Sequence, residues 1–143
     1  MKTSINGINL IKKYEGCKLK AYLCPSGIPT IGMGNTFYKN GSKIKLGDKI
    51  TQQQAEELLM DLLPQFESIV NHNIKRDLTQ NQFDALVSFC WNCGKSETLF
   101  NMVNAQSLGL RTWWETHYTT GGGKVLAGLV NRRKAEIDLF YLQ

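Results

Sequence analysis

A stretch of short glycine- and proline-rich runs at residues 16–47 most constrains how this 143-residue chain can fold. Its six glycines and two prolines interrupt brief apolar and aromatic runs, which is the pattern of short strands joined by tight turns. Within it, Asn40-Gly41 predicts a type I′ hairpin turn. Helical periodicity appears only before and after this stretch. The order predicts an α+β fold with two lobes, a small N-terminal β-sheet lobe and a larger helical C-terminal lobe, and a cleft between them.

The helical segments carry their own start and stop signals. We expect a first helix over residues 4–14, capped by Ser4 and ended by Gly16. Thr51 and Thr79 each begin a capping-box pattern ahead of an apolar helix. These signals predict a single domain over residues 1–143, with the β lobe at about 16–47 and the helical lobe at about 51–143.

Several breaks are expected within the helical lobe. Pro64 should end or kink the helix that Thr51 opens, because proline lacks an amide donor. Gly94 should stop the next helix, and Ser96 should cap another that runs to about Ala105. The remaining predictions are a short aromatic helix or turn at 111–118, a flexible loop at 121–123, and a last helix that buries the apolar residues 126, 129, 130, 137, 140 and 141.

Composition narrows the class of partner. The chain has 42% hydrophobic residues and a net charge of +5, which is typical of a globular protein with a basic surface. Such a surface attracts polyanions, and nucleic acid, an anionic membrane and the bacterial cell wall all fit. Nothing resembles a helix-turn-helix or an aromatic RNA platform, so we expect no nucleic acid binding.

Without an apolar run of ~18 residues or a signal core, the sequence predicts a cytosolic protein that does not insert into membranes.

The four cysteines allow two interpretations. Cys90 and Cys93 form a C-x-x-C pair, and Cys17 and Cys24 would complete four zinc ligands. The spacing between Cys17 and Cys24 is wrong for a zinc knuckle, however. Cys90 and Cys93 also continue an apolar helical pattern, in which a free cysteine behaves as a small hydrophobic residue. We therefore predict neither a metal nor a cofactor.

Three segments of the chain, in the same order, carry a resemblance to a known family. In the first, Glu15, Cys24 and Thr30 are separated by eight and five residues. The others lie at 78–86 and 128–136. Together they resemble the phage-type lysozymes, or endolysins, whose pattern is Glu, eight residues, Asp or less often Cys, five residues, then Thr. The surrounding matches in the first segment are Gly16, Leu19, Ala21, Tyr22, Gly27, Ile31, Gly32 and Gly34.

The resemblance implies a muramidase that hydrolyses peptidoglycan between N-acetylmuramic acid and N-acetylglucosamine, causing host cell lysis. Glu15 would be the catalytic acid, because glycosidic cleavage needs a neutral carboxylic acid to protonate the leaving oxygen. Burial in a cleft raises the pKa of such a group. In the family, Thr30 and the residue at position 24 would place and activate a water on the opposite face of the sugar.

Two positions depart from the family pattern. Cys24 stands where Asp is usual, which leaves three roles open: a thiolate that polarises water, a covalent nucleophile, or an inert buried thiol. Asn35 stands where many members carry His. Asn35 and Thr36, which follow the TIGMG turn, are candidate substrate-binding residues.

The last helix supplies one more candidate. Arg132 and Arg133 would form a solvated basic face by composition alone, whereas the resemblance places Arg132 close to Glu15. A cation there lowers the pKa of the carboxyl. Three aromatic residues could line the sugar groove, although a packing role is favoured for at least one tryptophan: Trp113, Trp114 and Tyr118.

The resemblance also implies the partners and the location. We expect a monomer that stays in the host bacterial cytoplasm and depends on a holin-like membrane protein to reach peptidoglycan. Two alternatives remain: a lytic transglycosylase acting on the same bond, and a non-catalytic module that binds the wall or nucleic acid. An inactive relative should have lost Glu15, which is present here.

Overall fold

Six α-helices and four short strands make up the computed structural model, which describes residues 1–143. The helices are α1 (Ile5–Glu15), α2 (Gln52–Asn73), α3 (Gln80–Cys93), α4 (Glu97–Asn104), α5 (Leu110–Thr116) and α6 (Ala127–Phe140). The strands are β1 (Lys18–Leu23), β2 (Pro29–Gly32), β3 (Thr120–Gly121) and β4 (Lys124–Val125). The predicted α+β class, with a small β lobe ahead of a helical lobe, is confirmed.

The β lobe is built on the antiparallel pair β1–β2, in which Tyr22 lies opposite Thr30. Five residues, 24–28, join the strands, and Cys24 N donates to Ile28 O at 3.0 Å across the base of this loop. Gly27 in this loop has a φ of 77°, which glycine adopts without steric cost. The loop fixes Cys24 at the end of the strand pair that carries Thr30.

The hairpin at Asn40-Gly41 forms, but its predicted type I′ turn is wrong. A type I′ turn needs a positive φ at both central residues, and Asn40 does not have one. Tyr38 N instead donates to Ser42 O at 2.9 Å, and Gly41, with a φ of 87°, donates its N–H back to Tyr38 O. The loop therefore has three residues, and Gly41 takes its left-handed position.

The segment predicted as a flexible loop at 121–123 belongs to a tight hairpin. Strands β3 and β4 pair antiparallel across it. Gly122 and Gly123 have φ values of 58° and 78°, the two positive values that a type I′ turn requires. The hairpin leads directly into α6.

Pro64 was predicted to end or kink the helix that Thr51 opens. Helix α2 continues through Pro64 to Asn73, so the predicted end is wrong, and the kink stays a prediction. A proline inside a helix costs about 3 kcal/mol through the lost hydrogen bond and a backbone clash. The leucines that precede it in the helix, Leu59, Leu62 and Leu63, are buried, and each buried leucine contributes about 1.5–3 kcal/mol. Tertiary packing therefore outweighs the local cost.

The helix caps follow the sequence with one exception. The hydroxyl oxygens of Thr51 and Thr79 accept backbone N–H groups within complete capping boxes. Ser96 caps α4 without a capping box, its hydroxyl oxygen accepting from Leu99 N. Ser4 occupies the N-cap position of α1, but its side chain makes no cap hydrogen bond. Its backbone N–H and its hydroxyl both donate to the buried carboxylate of Asp84, so Ser4 joins α1 to α3 rather than capping α1.

Helix α3 is the centre of the core, with residues 83–91 all buried. Helices α1, α2 and α6 pack around it. The prediction for α6 is wrong in part, because Tyr141 is 42% exposed while Arg132, Arg133 and Glu136 are buried. The two arginines therefore do not form a solvated basic face. No helix in this fold combines the length and apolar character needed to cross a membrane.

Candidate active site

A cleft of about 1030 Å³ is lined by residues of both lobes. Its floor and walls include side chains from β1, β2 and the loops that follow them, together with the C-terminal end of α3. Five of the predicted site residues line this cleft: Glu15, Cys24, Thr30, Asn35 and Thr36.

Glu15 is the last residue of α1, at the point where the helix gives way to the β lobe. Gly16 ends the helix with a φ of 65°, and its N–H donates to Lys12 O. The Glu15 side chain is only 13% exposed. Burial raises the pKa of this carboxyl above its ordinary value of 4.5, even though Arg132 acts in the opposite direction. Glu15 is thus suited to hold a proton at a pH where an exposed glutamate would be ionised.

Arg132 reaches Glu15 from α6, with Nη1 2.9 Å from Oε1. The arginine also donates to Ser88 O at 3.1 Å, and its Nε lies 3.4 Å from Glu136 Oε2. Its positive charge is therefore shared between two carboxylates. The predicted proximity of Arg132 to Glu15 is present in the structure, and a role for this pair in catalysis stays a prediction.

Glu136 joins this pair to a fully buried network. Its carboxylate accepts from Ser88 Oγ at 2.7 Å and from Trp114 Nε1 at 3.2 Å, and it lies 2.8 Å from Arg133 Nε. A buried carboxylate is tolerated when cations and hydrogen-bond donors surround it in this way. The network holds Arg132 in one place behind Glu15.

Thr30 is 3% exposed, and its hydroxyl donates to Ile28 O at 2.8 Å. Because a hydroxyl has a single proton, Thr30 offers only lone pairs to a water or substrate in the cleft. Partial burial raises the pKa of the nearby Cys24 thiol, but hydrogen bonds from Ile28 and Ser26 lower it below its ordinary value. The thiolate is thereby favoured relative to a free cysteine.

Asn35 has an unmet hydrogen-bonding group in the cleft. Its side chain is 2% exposed, and Oδ1 accepts from Met33 N at 3.3 Å. The Nδ2 group is buried and has no acceptor. An unsatisfied buried donor costs about 1–3 kcal/mol, which a bound acceptor would recover. Thr36, half-buried beside it, also lines the cleft.

The phage lysozyme family model matches residues 12–136 of this chain. The chain belongs to the phage lysozyme family. It is 42% identical to an endolysin of Bacillus phage PZA over 98% of its own length and 55% of that protein. It is 38% identical to an endolysin of Acyrthosiphon pisum secondary endosymbiont phage 1, with 98% of each chain covered.

A solved phage lysozyme structure shares the fold. The endolysin from Escherichia coli O157:H7 phage FAHEc1 superposes with a TM-score of 0.83 at 38% identity, covering 99% of this chain and 94% of that chain. The chain spans about half the length of the Bacillus phage relative.

The aromatic predictions divide between core and cleft. Trp114 is fully buried in the core, and neither it nor Trp113 lines the cleft, whereas Tyr118 does. Six further aromatic residues line the cleft that the sequence had not assigned to it: Tyr14, Tyr22, Phe37, Tyr38, Phe66 and Trp91. Tyr22 matched the family segment but was given no role, and Trp91 was taken only as part of an apolar helix.

The four cysteines are free thiols, and no cluster of three or more His, Cys, Asp or Glu side chains could hold a metal ion. Cys90 and Cys93 lie in the last turns of α3. Burial raises the pKa of Cys93 to about 11, although Arg133 beside it acts in the opposite direction. These two thiols are therefore much poorer nucleophiles than Cys24 at neutral pH.

Proposed function

We propose that this chain is a muramidase, an endolysin that hydrolyses peptidoglycan between N-acetylmuramic acid and N-acetylglucosamine. One observation carries the proposal: the Glu15 carboxyl is almost buried at the wall of a large cleft and has a raised pKa. Cleavage of a glycosidic bond needs such an acid, because the leaving oxygen must be protonated as an oxocarbenium-like transition state forms. Membership of the phage lysozyme family supports the same reaction.

In the proposed mechanism, Glu15 donates its proton to the glycosidic oxygen and the C–O bond of the muramic acid residue breaks. A water then attacks the anomeric carbon, and its proton passes to a base in the cleft. The lone pairs of Thr30 would orient that water, because the Thr30 proton is already donated to Ile28 O. The Cys24 thiolate would polarise the water, which the lowered pKa of this thiol supports.

Mass spectrometry of fragments released from purified peptidoglycan tests the reaction directly. A muramidase should release fragments that end in a reducing N-acetylmuramic acid. The variant Glu15→Gln, prepared in parallel, should release none above background. Fragments with a reducing N-acetylglucosamine end would assign cleavage to the other glycosidic bond and contradict the proposal.

A lytic transglycosylase is the second candidate, and the absence of a carboxylate at position 24 favours it. Such an enzyme uses one catalytic acid but closes the muramic acid onto itself instead of adding water. Its products would carry an anhydro end and would be lighter than the hydrolysed fragments by one water. The same experiment therefore separates the two reactions.

Release is proposed from the resemblance to endolysins: the chain, a monomer in the host cytoplasm, reaches the wall after a holin-like protein permeabilises the membrane. Expression without such a partner should leave cells intact until chloroform is added, after which they should lyse. Cells expressing Glu15→Gln should not lyse promptly after chloroform is added, and the turbidity of the culture should persist. Lysis that begins without chloroform or a holin would contradict this release route.

A further inference from the structure

The charge of this chain is divided unevenly between its lobes. Residues 16–50 carry six lysines and one acidic residue, a formal charge of +5, which equals the net charge of the whole chain. The remaining 108 residues carry eleven basic and eleven acidic residues. The net positive charge therefore lies in the β lobe. A charge that served only general solubility would not need to be concentrated in one lobe.

Two of these lysines are held side by side. Lys20 on β1 and Lys49 form an antiparallel bridge. The flanking hydrogen bonds, Ala21 N to Asp48 O and Ile50 N to Leu19 O, make this a non-hydrogen-bonded pair, in which the side chains are closest. Like charges directly opposite each other destabilise a sheet. Folding alone therefore gives no reason for this pair.

Lys18 precedes Lys20 on β1, and Lys45 begins the turn that leads to Lys49. We name these four exposed residues, Lys18, Lys20, Lys45 and Lys49, the lysine face. None of them is paired with a carboxylate, since the lysine salt bridges of the chain are Lys12–Glu56, Lys39–Asp61 and Lys95–Glu97.

Asp48 is the only acidic residue of segment 16–50. The Asp48 carboxylate accepts from the Tyr38 hydroxyl at 2.7 Å and from Lys45 N at 3.0 Å, so it braces its own turn. None of the four lysines lines the cleft. The lysine face is therefore separate from the sugar-binding groove but is carried by the same lobe as Cys24 and Thr30.

We infer that the lysine face binds an anionic phosphodiester polymer of the bacterial cell wall. Unpaired ammonium groups attract phosphates as point charges, and several of them along one surface bind a chain of phosphates by releasing its counterions. A polymer anchored to the glycan would hold the β lobe near the strand that enters the cleft. The inference rests on the proposed muramidase function, because that function makes the wall the place of action.

The test measures binding separately from hydrolysis. In a Glu15→Gln background, the double variant Lys20→Gln/Lys49→Gln is compared with Lys95→Gln/Lys134→Gln, which removes the same charge from exposed positions of the helical lobe. Co-sedimentation with isolated walls that carry phosphodiester polymers gives the affinity at a series of salt concentrations. The same walls after hydrofluoric acid, which cleaves phosphodiesters, serve as the polymer-free probe.

We expect the β-lobe double variant to lose affinity for intact walls several-fold. A plot of log affinity against log salt concentration should become less steep for this variant. Its slope should decrease in magnitude by about one unit for each lysine removed, the value found for phosphodiester backbones of nucleic acids. The helical-lobe variant should bind like its parent, and stripped walls should bind all three proteins alike. Equal losses in both double variants would mean that only net charge matters and would overturn the inference.

Binding to a membrane and loss of hydrolysis are each measured in a separate arm. Leu19 and Leu46, 40% and 59% exposed, lie between the lysines, so vesicles containing anionic phospholipid are tested as well. If the lysines were needed for binding to vesicles but not for binding to walls, the face would be assigned to a membrane and the inference would be overturned.

Hydrolysis is measured in a separate arm. The parent and both double variants, each with Glu15 restored, are assayed for hydrolysis of stripped walls. If none of these proteins hydrolysed stripped walls, the proposed function would be removed, whatever the binding result.

Discussion

Arg132 Nη1 lies 2.9 Å from Glu15 Oε1, yet the pKa of Glu15 is raised. A single guanidinium at that distance would ordinarily favour the ionised carboxylate. Burial outweighs it here, and the charge of Arg132 is also drawn toward Glu136, whose Oε2 lies 3.4 Å from Nε. The geometry thus fixes the position of Glu15 while allowing it to remain a proton donor.

The replacement Glu15→Gln should reduce lytic activity by about 10²–10⁴-fold, because a nearly isosteric amide cannot donate an acidic proton. The measurement is the rate of turbidity loss of a wall suspension, with circular dichroism to confirm that the variant is folded. Glu97→Gln, at an exposed position on α4, is the matched control and should keep full activity. Activity within tenfold of the parent in a folded Glu15→Gln variant would remove Glu15 from the proposed role.

The same variant should differ from the parent in the pH dependence of its stability. Folding raises the pKa of Glu15 above 4.5. The stabilising contribution of such a group is present below its unfolded pKa and is lost as the pH rises through its folded pKa. Glutamine does not ionise, so the variant has no such contribution to lose as the pH rises. The melting temperature of Glu15→Gln relative to the parent should therefore increase from pH 4.5 upward.

Differential scanning calorimetry across that pH range measures this difference. The control Glu97→Gln should show no comparable trend, because it replaces an exposed carboxyl. A relative melting temperature that stays constant or falls with pH would mean that the ionised Glu15 is not disfavoured by its surroundings.

Replacing Arg132 should move the basic limb of the pH–activity profile to higher pH. Activity requires protonated Glu15 and is lost as the pH rises through its pKa, and removal of the cation raises that pKa further. Tyr22 and Cys24 from the β lobe and Arg133 from α6 still face the site. We expect this shift for Arg132→Gln and a smaller one for Arg132→Lys, which keeps the charge.

Arg132→Gln also leaves Glu136 with one cation fewer, and breaking a buried ion pair costs about 3–5 kcal/mol. The profiles are therefore recorded well below the melting temperature of each variant. An equal shift in the Gln and Lys variants would point to disturbed packing instead of charge. A shift of the Gln variant to lower pH would contradict the assigned sign.

The sequence predicted what depends on local pattern and missed what depends on long-range contacts. Capping boxes at Thr51 and Thr79 could be predicted, because each cap lies three residues from its partner. The continuation of α2 through Pro64 could not, because it depends on the packing of distant side chains. The ion network around Glu136 was missed for the same reason, since its partners Ser88 and Trp114 are far apart in the chain.

The cleft residues divide in the same way, into those that the sequence pattern predicts and those that depend on long-range packing. The positions of Glu15, Cys24 and Thr30 followed from the family spacing, and all three residues line the cleft. Which tryptophan lines the cleft did not follow. Trp114 and Trp91 occupy similar apolar patterns, but Trp114 on α5 is fully buried in the core, whereas Trp91 on α3, 8% exposed, lines the cleft.

Cys24 should be the most reactive of the thiols near the cleft. Its pKa is lowered, whereas burial raises the pKa of Cys93 to about 11 and that of Cys90 further. Iodoacetamide at neutral pH should therefore modify Cys24 well before Cys90 or Cys93, and activity should fall in parallel with that modification. Peptide mapping by mass spectrometry follows each site.

Two substitutions then define the role of Cys24. If the position needs an ionisable group, Cys24→Asp should be as active as the parent while Cys24→Ser is impaired. An unreactive Cys24 together with full activity of Cys24→Ser would make the thiol a bystander. Glu15 and Thr30 would then carry the reaction alone.

Gly34 is predicted to hold space for the catalytic carboxyl. A Cβ at this position would lie 2.7 Å from Cδ and 3.1 Å from Oε1 of Glu15, and closer still to Oε2. The substitution Gly34→Ala should therefore push the carboxyl out of its position beside Arg132. A misplacement of about 1 Å at a catalytic group costs about 10²-fold in rate. We expect a loss of that order in the turbidity assay.

Gly41→Ala is the matched control, because Gly41 has a φ of 87° against 85° for Gly34 but nothing within 4 Å of its would-be Cβ. Both variants should lose about 1–2 kcal/mol of stability from alanine in a left-handed conformation. Beyond this shared loss of stability, only Gly34→Ala should also lose activity. Comparable activity in the two variants at equal melting temperature would show that the contact between Gly34 and Glu15 does not position the acid.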